Sequence, residues 1–250
     1  MMNIAIEYPF LFFIRKATGT VPTSWNELTE RQFLAISRTV HGAEPDFQIL
    51  SVLTGIGQRL LKKLHPYDLL KLTQGIDFVG NVGNTYSEFI IRKIHSTNLI
   101  APKSKLGAMP FGQFIFADSY YNDWMATKDE KALNNLIATL YLEPGEKFTT
   151  ESIPLRVLTI INIKLDTRKA IAFNYSLILM WLQKCYPLIF QQSIDDSDKV
   201  DGTRPKQSGW LKLFDSLVGE DLINRDRYAD LPVNTVFRHL TNKYKENAKR

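Results

Sequence analysis

Four histidines, one cysteine and two groups of carboxylates are the residues through which this chain of 250 amino acids could do chemistry. His41, His65, His95 and His239 are scattered, and none has another His or Cys at the spacing of zinc ligands. His41 precedes Gly42 and His65 precedes Pro66, which reads both as helix-end residues. Cys185 has no cysteine partner for a disulfide, and an apolar helix around it would keep its thiol protonated and inert. Asp195, Asp196, Asp198 and Asp201 suggest calcium. In an EF-hand register from Asp196, however, Val200 takes the fifth position and Asp201 stands where the glycine is needed. Asp118 and Asp123 are the only paired acids in an aromatic stretch, Pro110 to Trp124. An acid–base pair requires surroundings that move two pKa values apart. The sequence offers none there, and Asp118 reads as a helix N-cap. Gly80-Asn-Val-Gly83 lacks the third glycine and the preceding strand of a dinucleotide site, and neither a phosphate-binding loop nor a G-x-S-x-G elbow occurs. The reading is a protein without catalytic residues, cofactor or metal: not an enzyme.

The elements that carry these residues are mostly helices. The first twenty residues read as extended, with weak alternation from Asn3 to Tyr8. Thr29 and Gln32 have capping-box spacing ahead of Phe33, Ile36 and Val40. A second helix is expected from Asp46 with Ile49, Val52, Leu53 and Ile56 inward, and a third from Pro66 with Leu69, Leu72 and Ile76. Thr85 and Glu88 have helix-capping spacing, while Phe89-Ile-Ile suits a strand equally well. Leu99 to Phe116 reads as loop and short strands. Thr127 and Glu130 form a second capping box before the cleanest amphipathic face in the chain, Leu133, Leu136, Ile137, Leu140 and Tyr141. Ile153 to Leu165 is β-branched and ambiguous. A long apolar helix, with Asp166 as its cap, is expected to reach Gln191. The fold class is therefore mainly α, with a few short strands near the N-terminus and around residues 99–116. A main body spans residues 1–192, a polar linker 193–207, and a C-terminal helical pair 208–250.

Hydrophobic residues at 44% and charged residues at 23% are ordinary for a folded protein with a real core. Ala170 to Phe190 approaches the length of a membrane span, but Asn174, Gln183, Lys184 and Pro187 favour a buried helix, so no membrane contact is expected. A net charge of +5 permits nucleic-acid contact. The basic residues are dispersed among Lys62-Lys63, Arg92-Lys93, Lys103, Lys105, Arg168-Lys169 and the C-terminal tail, so that partner is not favoured. In the last helix Val233, Val236, Phe237, Leu240 and Tyr244 make an apolar stripe. Two uses of it stay open: docking in a partner's groove beyond the linker, or folding back on the main body.

Three segments carry a resemblance: Pro22-Thr-Ser-Trp-Asn-Glu-Leu-Thr-Glu-Arg-Gln-Phe33, Phe111-Gly-Gln-Phe114 and Leu136-Ile-Ala-Thr-Leu-Tyr141. Together they resemble small helical proteins from the tail-assembly modules of bacteriophages and prophages. The final helix pair, with Trp210 near its start and a charged end, is similar as well. The resemblance implies a tail assembly chaperone or accessory virion protein. Its partners would be other tail or neck proteins or further copies of itself, in the cytoplasm of a bacterial host or built into the virion. The alternatives are a head-to-tail connector ring and a basic nucleic-acid-binding protein.

Overall fold

A computed structural model describes residues 1–10, 13–40, 47–74, 77–79, 85–95, 97–190 and 209–247. The chain is mainly helical and forms two compact units, Met1–Tyr86 and Ser87–Arg250. The segment 193–207 expected as a linker lies outside the described residues, as do His41, Asp46, Ile76, and the glycines at 80 and 83.

In the first unit β1 (Met2–Phe10) and β2 (Phe13–Val21) form an antiparallel pair, in register from Met2↔Val21 to Phe10↔Phe13. The base of this ribbon is fixed at Gly19, where a Cβ would lie 2.3 Å from the Thr54 carbonyl oxygen. Only glycine permits that approach. A 3-10 turn at Trp25–Glu27 precedes α1 (Glu30–Val40). The capping box forms as its spacing requires: Gln32 N donates to Thr29 Oγ1 (3.3 Å) and Thr29 N donates to Gln32 Oε1 (3.0 Å). Phe33 and Ile36 are buried, while Val40, expected on the same face, is exposed at the last turn. Gln32 Nε2 also donates to Leu53 O (3.0 Å), tying α1 to α2 (Phe47–Thr54). Ile49, Leu53 and Ile56 are buried, and Val52 is half-buried. After α3 (Gln58–Leu61), α4 (Pro66–Gln74) starts at the proline as expected, with Leu72 inward and Leu69 partly so. Val21, Leu50, Ile56, Leu61 and Leu72 make the core that these elements share.

In the second unit residues 87–95 and 97–103 are neither helix nor regular strand, and a 3-10 turn follows at Ser104–Leu106. Single antiparallel bridges link Lys93 to Ile100 and Ile100 to Leu142. Phe89, Ile91 and Ile94 are buried, so the ambiguous apolar run supplies core without a ladder to pair its backbone. Side chains do that work. Asn174 Oδ1 accepts from Ile90 N (2.7 Å), Asn174 Nδ2 donates to Glu88 O (2.8 Å), and Tyr141 Oη donates to Ile91 O (2.5 Å).

Helix α5 spans Phe111–Thr127, so residues 111–116, read as loop and strand, are helical. Gly112 serves close packing there, since a Cβ on it would meet the Ala229 Cβ at 3.2 Å. In α6 (Glu130–Leu140) the predicted face is buried at every position, Leu133, Leu136, Ile137 and Leu140, with Tyr141 just beyond. Its cap is Asp129, which accepts from Lys131 N (3.0 Å), rather than the expected Thr127–Glu130 pair. Thr127 ends α5 and donates back to Asp123 O (2.7 Å). The ambiguous run from Ile153 opens as α7 (Ile153–Ile160). Helix α8 (Leu165–Cys185) has Lys164 at its N-cap and Asp166 in its first turn, and it stops at Cys185, shortly before Pro187. Residues 187–190 are helical again (α9). Beyond the undescribed residues come α10 (Gly209–Val218), α11 (Arg225–Ala229) and α12 (Val233–Asn247). Among the described residues no helix is long and apolar enough to cross a membrane.

Asn174→Leu keeps roughly the side-chain volume and strips both bonds from the segment 88–90. We expect it to lower unfolding free energy by about 2–4 kcal/mol, measured by urea denaturation with an unchanged m value. An unchanged midpoint would show that water replaces Asn174 without cost.

Candidate interaction surface

The stripe Val233, Val236, Phe237 and Leu240, offered by sequence to a partner, is buried in the second unit's own core, and Tyr244 is half-buried. Two backbone bonds seat the start of α12: Phe111 N donates to Leu231 O (2.8 Å) and Val233 N donates to Met109 O (3.0 Å). Phe237 then enters an aromatic cluster. Its ring centroid lies 6.0 Å from Phe111, 5.4 Å from Phe114, 5.3 Å from Trp210, 5.3 Å from Tyr186 and 5.8 Å from Phe190. The Trp210 pair is stacked and the other four are edge-to-face, arrangements that add to the area burial of each ring. Of the two uses the sequence left open for this stripe, folding back on the chain is the one seen here. Periodicity shows that a helix face is covered, and the cover here is α5, α9 and α10 of the same chain.

Asp118 is likewise not an N-cap. It sits in the middle of α5, only 7% exposed. Its Oδ2 accepts from Trp210 Nε1 (2.7 Å) and from Asn122 Nδ2 (2.9 Å). Burial raises its pKa from 3.8 to about 6, with the Trp210 and Asn122 hydrogen bonds opposing. Nearby, the Tyr121 and Tyr175 rings meet edge-on at 5.4 Å. Burial lifts the Tyr175 hydroxyl well above its usual range, with the Asp118 and Tyr121 charges adding, and that hydroxyl has no hydrogen-bond partner among the described residues. This constellation is a structural clamp from α5 to α10.

The other chemical candidates stay apart. His65, His95 and His239 are exposed; His65 Nδ1 accepts from Tyr67 N (3.3 Å) at the start of α4. Cys185 is exposed at the end of α8, its thiol pushed up by partial burial with Lys105 opposing. His41 and the aspartates at 195, 196, 198 and 201 lie outside the described residues. Among the described residues no three His, Cys, Asp or Glu side chains are grouped to hold a metal. A cleft of about 580 Å³ is bordered by Lys103, Glu143, Glu146, Lys147 and Asp230, with Gln113 at its wall. Among the described residues no His, Cys or Ser lines it. Glu146 is paired with Arg156, and Gln113 Nε2 donates to Thr139 O (2.7 Å).

One surface stands out, on α7. Pro154 lies at the first helical turn, where its missing N–H costs nothing. Ser152 Oγ bonds back to Thr149 O (2.9 Å) just before it. Ile153, Arg156 and Ile160 face inward on α6. Arg156 Nε donates to Ala138 O (2.7 Å), and its Nη1 reaches Ser152 Oγ (2.7 Å) and forms a close ion pair with Glu146. Burial lowers the Arg156 pKa, and Glu146 offsets part of that. With that face held in, Leu155, Leu158 and Ile161 are 70%, 63% and 49% exposed. They recur at i, i+3 and i+6, along one ridge of the helix. Scattered exposed leucines need no explanation, but three in a row on one ridge form a patch. The sequence reading missed them because helix and strand fit the run 153–165 equally, and a strand has no such ridge. The signal was Leu155-x-x-Leu158-x-x-Ile161 itself.

Two measurements follow. Phe237→Ala should cost the isolated protein about 3–5 kcal/mol of unfolding free energy; a cost near zero would return α12 to the surface. For Asp118 the sign is that of an acid whose folded pKa is raised. Its contribution to stability is fullest below pH 3.8 and is lost as pH rises through about 6. Asp118→Asn keeps an acceptor for Trp210, so it should match the parent near pH 4 and exceed it by as much as roughly 3 kcal/mol at pH 7. A variant that is less stable at pH 7 would mean that the charge itself holds Trp210.

No protein-family model, curated protein or solved structure matches this chain, so the α7 ridge and the burial around it carry the functional argument.

Proposed function

We propose that this chain is a non-enzymatic protein of a phage or prophage tail module. It acts in tail assembly or as a minor virion component, in the host cytoplasm or the particle, through helix-mediated contacts with other tail or neck proteins. The observation that carries this reading is the uncovered apolar ridge of α7, Leu155, Leu158 and Ile161. An assembly factor must keep apolar surface available to other chains instead of sealing it in its own core. Here the sealing is selective: the α12 stripe is covered while α7, rigidly held by Arg156, is not. The sequence resemblance supplies the tail setting, and the ridge supplies the mode of contact.

The test is the absolute mass of the purified, nuclease-treated protein by light scattering on a sizing column. A monomer or dimer is the expected result for an assembly factor. A closed ring of many subunits would overturn it in favour of a connector. Copurifying nucleic acid, lost steeply as salt rises, would overturn it in favour of nucleic-acid binding. Tube, sheath and tape-measure genes are expected beside the one that encodes this chain.

A further inference from the structure

We propose that the cleft beside Gln113 binds an extended peptide segment of a partner protein, taking in one apolar side chain and receiving a backbone N–H at the Gln113 carboxamide. This adds a second mode of contact to the proposed function and rests on the cleft, not on α7. At about 580 Å³ the cleft has the size of a ligand site. Gln113 lies in its wall and is only 3% exposed. Its Nε2 donates to Thr139 O (2.7 Å). A backbone carbonyl can only accept, so that bond fixes which way round the amide sits. The end left over is Oε1, which accepts no hydrogen bond among the described residues. The described unpaired side-chain atoms that are sealed from solvent belong to Thr139, Arg156 and Tyr175, so the Gln113 oxygen is reachable. An acceptor held in one orientation within so buried a side chain calls for a donor.

The rest of the cleft defines what brings that donor. Met109, Leu140, Leu142 and Phe148 give it an apolar lining, and the Phe148 ring is held against Phe116 at 6.0 Å. Glu146 is taken up by Arg156. The other charges are exposed at the rim: the ammoniums of Lys103 and Lys147 and the carboxylates of Glu143 and Asp230. Opposite charges in equal number select neither an anion nor a cation.

The backbone of the lining residues supplies the remaining signal. Among the described residues the N–H groups of Lys147 and Phe148 donate no hydrogen bond, and the carbonyls of Ala101 and Pro102 accept none. Lys147 and Phe148 belong to neither helix nor strand. Unpaired donors, unpaired acceptors and one fixed amide oxygen around an apolar lining are the complement of a polypeptide backbone with an apolar side chain. A purely apolar molecule would leave every one of those groups unmet.

The experiment is a nuclear magnetic resonance titration of the isotope-labelled full chain with capped peptides. The first probe is N-acetyl-leucine methylamide, taken to about 20 mM because a ligand so small binds with a Kd of about 1 mM. Saturable shifts are expected at the Gln113 side-chain amide and at the Leu142 and Phe148 backbone amides. The second probe is the ester analogue, in which oxygen replaces the leucine N–H; it should bind roughly tenfold more weakly, since it offers Gln113 no donor. The third is a capped pentapeptide with two alanines on each side of the leucine, expected to bind several-fold more tightly than the single residue. Ala108 is an exposed lining residue, so Ala108→Trp should fill the cleft and abolish the shifts while the rest of the spectrum stays in place. No shifts in the parent would overturn the site, as would shifts that persist unchanged in Ala108→Trp. An ester that binds as well as the amide overturns the part given to Gln113. A pentapeptide no tighter than the single residue overturns the extended segment in favour of a small free amide. An empty cleft leaves the assembly-factor reading intact, whereas a closed ring overturns that reading and not the peptide site.

Discussion

The second unit depends on one constraint: α6 is buried so completely that its C-terminal carbonyls cannot turn to water. The last carbonyls of any helix lack intrahelical donors. At the end of α6 the Ala138 oxygen accepts from Arg156 of α7, and the Thr139 oxygen accepts from Gln113 of α5. Two neighbouring helices are thus positioned by the polar needs of a third, and not by apolar packing alone. Arg156 is itself buried, and Ala138, Ser152 and Glu146 accept from its Nε and Nη1, while its Nη2 has no partner among the described residues.

That anchoring decides which face of α7 looks outward. α7 carries apolar residues on both sides, and the guanidinium goes to the inner one. With Arg156 directed to the end of α6, Ile153 and Ile160 follow it inward, and Leu155, Leu158 and Ile161 are left uncovered. A structural hydrogen bond therefore creates the surface on which the functional proposal stands. The same logic governs the segment 88–91, an apolar run with no strand partner, whose backbone is satisfied by Asn174 and Tyr141.

Asp118 shows the cost of such devices. It clamps Trp210 onto α5 while sitting in surroundings that disfavour its charge, so near neutral pH the clamp opposes some of the stability it helps to organise. Around it Phe111, Phe114, Trp210 and Phe237 close the seam between α5, α10 and α12. α12 is held there although its amphipathic pattern suits docking on another protein equally well.

The sequence by itself determined what is local. The Thr29–Gln32 capping box, the proline start of α4 and the buried face of α6 were legible because each follows from hydrogen-bond geometry or periodicity within a few residues. So was the mainly helical class. The tertiary structure decided everything that rests on distant partners. Phe111–Phe116 is helical, and Gly112 within it packs closely on Ala229, more than a hundred residues away. Asp118 is a buried acceptor and not a cap because Trp210 reaches it. An amphipathic stripe records only that something apolar covers a helix face. Whether the chain itself covers that face, as at Phe237, or leaves it exposed, as at Leu158, depends on the arrangement of whole helices, which no window of sequence contains.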